Sequence, residues 1–155
     1  MRPMILAGLA ALAACGGGTS IAGGPVEPAG SSSQALTSFM RAAADSNLAR
    51  MAELWGNADG PAARTGQPPE WERRVIIMQA YLRGDSSRVV TDVPVSGSDS
   101  QRRVIVALYR TGCVKQIPAI VTRTKSGGWL VENVDISAAG NPARPCEDPQ
   151  EELTR

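Results

Sequence analysis

An α+β domain is predicted, with N-terminal helices packed on one face of a curved antiparallel sheet of three to four strands. Apolar residues recur at helical spacing between Leu36 and Leu82. From Val89 to Ile136 the period changes to alternation. Between two alternating segments lies Lys125-Ser126-Gly127-Gly128, where glycines that take positive φ without strain can close a hairpin. The chain has 155 residues, 43% of them apolar, which suits one domain with a packed core and is too short for two. Aromatic residues are only 4%, so the core must be built mainly from Val, Ile, Leu, Met and Ala.

The first segment is not part of that domain. Arg2 supplies one positive charge, and Met4 to Ala14 form an uncharged run of small and aliphatic residues. As a helix this run covers about 16 Å, roughly half the hydrocarbon core of a bilayer. It is too short to span and has the proportions of a signal-peptide core. The run ends in Leu12-Ala13-Ala14-Cys15, which resembles the lipobox of bacterial lipoproteins: an aliphatic residue, two small ones, then the cysteine. That resemblance implies removal of residues 1–14, lipid on Cys15 and permanent attachment to a membrane. Gly16 stands where an aspartate tends to retain such proteins in the inner membrane, so the resemblance favours the periplasmic face of the outer membrane over the inner one. Ordinary secretion, with Ala11-Leu12-Ala13 as the cleavage site, is the alternative.

Residues 15–33 are rich in Gly, Ser and Pro and read as the lipidated cysteine followed by a flexible tether, with a coil span of about 23 Å. The folded domain is expected over 34–136. Ser31 and Gln34 have the spacing of a capping box, followed by Leu36, Phe39, Met40 and Ala43 on one stripe. Asp45-Ser46-Asn47 interrupts that helix, and Leu48, Met51, Ala52 and Trp55 form a second. Gly56 to Pro69, with three prolines and three glycines, is expected to be a loop. A third helix follows Pro68-Pro69, with Glu70 and Glu72 at its positive end. Its inner face is Trp71, Val75, Met78, Tyr81 and Leu82, with Gly84 as its C′ residue.

In the first strand, Val89, Thr91, Val93 and Val95 are expected on one face, and Pro94 marks an edge or an end. Val104 to Tyr109 has two apolar faces and should be central. Ile117 to Thr124 and Trp129 to Ile136 complete the sheet as a hairpin, and residues 137–155 form an irregular, proline-rich tail. The Leu36–Trp55 helical pair, the Trp71–Leu82 helix and the terminal Ile117–Ile136 hairpin resemble the nuclear transport factor 2-like fold in order and length. That family is a cone shared with ketosteroid isomerase and small polyketide cyclases. The resemblance implies a pocket between helices and sheet.

Cysteine arithmetic bears on the tail. With Cys15 assigned to lipid, Cys113 and Cys146 remain, and in an oxidising compartment two such residues usually pair. The bridge would staple the tail to the sheet and stabilise the fold by roughly 3–4 kcal/mol in the chain-entropy model. They lack Cys-x-x-Cys spacing, which argues against a redox pair.

Composition excludes several functions. The chain has no histidine, which removes every mechanism that needs an imidazole and leaves the cysteines without a partner for a zinc site. No metal and no cofactor are expected. Lys and Arg number 16 against 15 Asp and Glu, and loss of Arg2 makes them equal, so no nucleic acid is expected as partner. No nucleophile elbow, phosphate loop or calcium loop occurs. Arg73-Arg74 and Arg102-Arg103 read as solvated faces with local ion pairs rather than an anion site.

Two functions from different classes remain. In one, a non-catalytic binding or assembly domain presents a pocket or sheet surface to a small apolar ligand or an envelope protein. Trp55, Trp71, Tyr81, Tyr109 and Trp129 are then the candidate pocket lining, although tryptophans at such spacing are more often core. In the other, an isomerase or cyclase uses Asp135 or Asp92 as base and Tyr81 or Tyr109 as donor. Catalysis is the weaker expectation, because Asp135 is placed at a strand end and both tyrosines read as core-edge residues.

Overall fold

The computed structural model describes residues 28–147. Signal segment 1–14, Cys15, the tether as far as residue 27 and the tail beyond residue 147 lie outside the described residues. The element order is α1 (Ser32–Ala44), α2 (Leu48–Leu54), β1 (Gly56–Asn57), β2 (Gly60–Pro61), α3 (Ala62–Thr65), α4 (Trp71–Leu82), β3 (Ser86–Pro94), β4 (Gln101–Arg110), β5 (Cys113–Arg123) and β6 (Trp129–Val134). A 3-10 turn over Ile136–Ala139 follows. The fold is α+β: helices cover one face of an open four-stranded antiparallel sheet of order β3-β4-β5-β6.

Helix α1 begins as its sequence dictates. Ser31 accepts a hydrogen bond from the Gln34 amide, and the Gln34 side chain reaches back to accept from the Gly30 amide. Two N–H groups that the helix cannot satisfy internally are thereby paired. The helix starts at Ser32, two residues before the expected boundary at 34, and Ala29 is already buried. Asn47 caps α2 by accepting from the Arg50 amide, so the polar cluster at 45–47 restarts the helix. Leu36, Phe39 and Met40 of α1 are at most 1% exposed and, with Met51, Val75, Met78 and Leu82, meet the sheet. Helix α1 touches all four strands.

The segment expected as a loop is partly structured. β1 and β2 form a two-residue hairpin and α3 follows directly, ending at Gly66 in the left-handed region. Gly84 serves a different purpose from the one its position suggests. Helix α4 ends at Leu82 with Arg83 as its C-cap, and a Cβ on Gly84 would strike Leu108 Cδ1 at 2.5 Å and the Tyr109 carbonyl oxygen at 2.9 Å. Close approach of helix to strand, not positive φ, requires glycine there.

Strand β3 departs from simple alternation. Val89 pairs with Val106, but Thr91 pairs with Ile105, leaving Val90 as an extra residue. A bulge reverses which residues face inward after it. Thr91 and Val93 therefore do not share the inner face with Val89: Thr91 is exposed, Val93 is 48% exposed, and Asp92 turns inward instead. β4 is central, with Val104, Val106 and Leu108 in the core and Ile105, Ala107 and Tyr109 on the other face. β5 starts at Cys113, four residues before the expected Ile117, so Cys113 opens that strand just after the end of β4.

The tail is joined to the sheet. Cys113 and Cys146 form a disulfide with a Cα–Cα separation of 5.5 Å. The Arg110 guanidinium adds a second tie. It donates to the carbonyls of Tyr81 and Arg83 at the end of α4 and of Ala139 in the 3-10 turn. Burial pushes the Arg110 guanidinium pKa down, and the charge of Asp85 opposes that shift.

Candidate functional site

The five aromatic side chains expected to line one pocket are distributed over the molecule. Trp55 is 6% exposed and donates its indole N–H to the Glu132 carbonyl at 3.0 Å, so it closes the end of the core. Trp71 and Tyr81 pack against the core from α4. Tyr109 alternates with buried Leu108 and stands on the sheet face away from the helices. Trp129 is at the start of β6, where it borders a cleft. Phe39, Met40 and Met51 fill the space between helices and sheet where a pocket was expected.

The candidate carboxylates also have settled roles. Asp92, re-aimed by the bulge, accepts from the hydroxyls of Ser32 at 2.5 Å and Ser33 at 2.6 Å and pairs with Arg102. Arg102 also donates to the Asp92 carbonyl at 2.9 Å. Burial pushes the Asp92 carboxyl up, but these hydrogen bonds and the Arg102 charge outweigh it and hold the pKa below the ordinary 3.8. A carboxylate stabilised in its ionised form by three donors is a poor proton acceptor. Its place at the first turn of α1 makes it a pin between helix and sheet, where negative charge also suits the helix dipole. Asp135 caps the 3-10 turn by accepting from the Ser137 amide and hydroxyl. Among the hydrogen bonds of the described residues, none joins a tyrosine hydroxyl to either carboxylate. The pairing that the isomerase reading needs is not assembled.

A cleft of about 210 Å³ lies where the chain enters the domain. Its floor is apolar: Ala29, Leu54, Trp129 and Leu130, with Pro28 and Pro61 at the sides. Local sequence explains the walls. The β1–β2 hairpin and α3 form one, and the β5–β6 turn forms the other. In that turn Gly127 has φ +100°, and Gly128 leaves room for Pro28 to sit directly on its Cα. The Trp129 amide donates to the Ala29 carbonyl at 3.1 Å, which fixes the entering chain against β6.

The polar groups around this cleft are engaged with one another. Glu53 pairs with Arg64 at 2.8 Å, and Asp59 pairs with Lys125. The hydrogen bond and charge of Asp59 raise the Lys125 pKa. Thr65 donates to the Pro61 carbonyl and accepts from the Gln67 amide. Thr124 is bonded to Ser126 and to the Gly128 amide. Sequence reasoning placed Trp129 in the candidate set but missed the rest, because the walls come from a segment whose proline and glycine content reads only as loop. The Trp-Gly step at 55–56, ending a helix just before a Gly-Pro pair, was the available signal.

A second, wider cleft of about 340 Å³ is lined by Trp55, Asn57, Gln67, Arg74, Glu132 and Asn133. Among the described residues, no group of three or more His, Cys, Asp or Glu could hold a metal ion, and no helix is long and apolar enough to cross a membrane. No protein-family model, curated protein or solved structure matches the chain.

Proposed function

We propose that this chain is a bacterial envelope lipoprotein, cut before Cys15 and held by lipid on that cysteine, whose domain binds a ligand or partner without transforming it. The observation that carries the reading is Leu12-Ala13-Ala14-Cys15 at the end of an uncharged run too short to span a bilayer. The order of helices before a four-stranded antiparallel meander supports a nuclear transport factor 2-like domain behind the tether. Binding rather than catalysis is supported by the state of the carboxylates. Asp92 and Asp135 are consumed in structural hydrogen bonds, and the more enclosed cleft has an apolar floor. With Gly16 after the cysteine, the outer membrane's periplasmic face is the proposed location.

The test is Cys15→Ser in the native host. Wild-type protein should label with palmitate and sediment with membranes. The variant should lose the label and be released or remain uncleaved. Unchanged sedimentation with normal processing overturns the anchor.

A further inference from the structure

The cleft between the β1–β2 hairpin and the β5–β6 turn combines an apolar floor with a rim whose polar groups already have partners. We infer that it is a binding site for a small uncharged apolar molecule, held mainly against the indole of Trp129 over a floor of Leu54 and Leu130. The inference deepens the binding-module reading and rests on it, but it does not depend on lipid at Cys15.

Size sets the first limit. The cleft holds about 210 Å³, below the ~300–1,000 Å³ of pockets that enclose drug-sized ligands. Its occupant is therefore small. Charge sets the second. Arg64, the cation among the lining residues, faces Glu53, and the lining carboxylate of Asp59 faces Lys125 just outside the cleft. An ionic ligand would leave water for an apolar floor without an unpaired counter-charge. To gain one it must separate an existing ion pair. The hydroxyls offer little more, since Thr65 and Thr124 are bonded within their own turns. What remains on offer is apolar surface and the indole face of Trp129, which favours uncharged hydrocarbon-like groups.

The site is also built to keep its shape. Helix α2 ends in Leu54, which is 2% exposed, and the Ala62 amide donates to the Trp55 carbonyl at 2.8 Å, fixing α3 to the end of α2. Across the cleft, the Lys125 amide donates to the Ala58 carbonyl at 2.9 Å. That bond ties the two walls together, so the cleft is largely formed before a ligand arrives.

The experiment uses the full chain carrying Cys15→Ser, with its disulfide intact and without detergent, so that no acyl chain competes. Hexanol, hexanoate and hexylammonium are titrated while tryptophan emission and amide NMR shifts are followed. Hexanol should saturate, with shifts confined to the cleft, and bind at least tenfold more tightly than either ion. Trp129→Phe should abolish most of the emission change while the NMR shifts persist. Ser126→Phe, on the exposed turn, should crowd the mouth and weaken hexanol several-fold. Hexanoate or hexylammonium binding as tightly as hexanol overturns the inference, as does a hexanol response that never saturates or maps elsewhere. The binding-module reading is judged separately, by native mass spectrometry of protein extracted from its own envelope. A retained polar ligand or bound protein there would uphold that reading while this one fails.

Discussion

The two edges of the sheet are protected by different means. At the β3 edge the protection is built into the strand itself. Val90 forms a bulge, Pro94 ends the ladder, and Asp92 turns inward to Ser32, Ser33 and Arg102. Bulges, prolines and inward charges each discourage a second sheet from adding on. The β6 edge is instead covered by distant parts of the chain. Ala29 bridges Trp129, and Trp55 bridges Val131 while its indole N–H meets the Glu132 carbonyl. Glu132 is itself the extra residue of a bulge, since Ile120 pairs with Asn133 and Val121 with Val131. One edge is a local device; the other depends on contacts 77 residues apart in sequence.

That difference predicts unequal sensitivity. Trp55→Ala should cost most, about 3–5 kcal/mol by the usual range for a buried tryptophan. The loss combines a cavity, an unpaired carbonyl and an opened edge. Urea denaturation measures it, and a loss below about 1 kcal/mol would show that the β6 edge does not need its cover. Paired Cys113→Ala and Cys146→Ala should cost about 2–4 kcal/mol, because the bridge no longer restricts the unfolded chain. Denatured, unreduced wild-type protein should show no free thiol at these two positions, and two titratable thiols would overturn the bridge.

Asp92→Asn should cost least, about 1–2 kcal/mol, through weaker hydrogen bonds to a neutral group beside Arg102. It should also change the response to acid. The folded Asp92 carboxyl is held below its ordinary value, so its contribution is complete above the unfolded value near 3.8 and is lost as pH falls through the lower folded one. Stability measured from about pH 6 to about pH 2 should therefore fall less steeply in the asparagine variant than in wild type. Identical acid limbs would remove Asp92 from the account of the β3 edge.

The same contrast explains what could be read from the sequence. The α1 cap at Ser31, the restart at Asn47, the α4 stripe and the β5–β6 hairpin depend on neighbours within a few residues, and the chain spells them directly. The Val90 bulge is not legible, because alternation from Val89 to Val95 satisfies an unbroken strand equally well until Ser32 and Ser33 are known to lie opposite. Nor does the β1–β2 hairpin carry a pattern, since two residues per strand are too few to alternate. The cleft inherits both difficulties. Its tryptophan could be named from the sequence, but the walls that give it a floor and a mouth are set by pairing between segments more than sixty residues apart, as in Lys125 and Asp59.

Pro28 seated on Gly128, with Ala29 bridged to Trp129, has a mechanical consequence. Tension drawn through the chain ahead of Pro28 reaches the β5–β6 turn before it reaches α1. A pull from the N-terminal side would first strain the single Trp129–Ala29 hydrogen bond and the cleft wall beside it. The core behind Leu36 and Phe39 would bear load only after that fastening had given way.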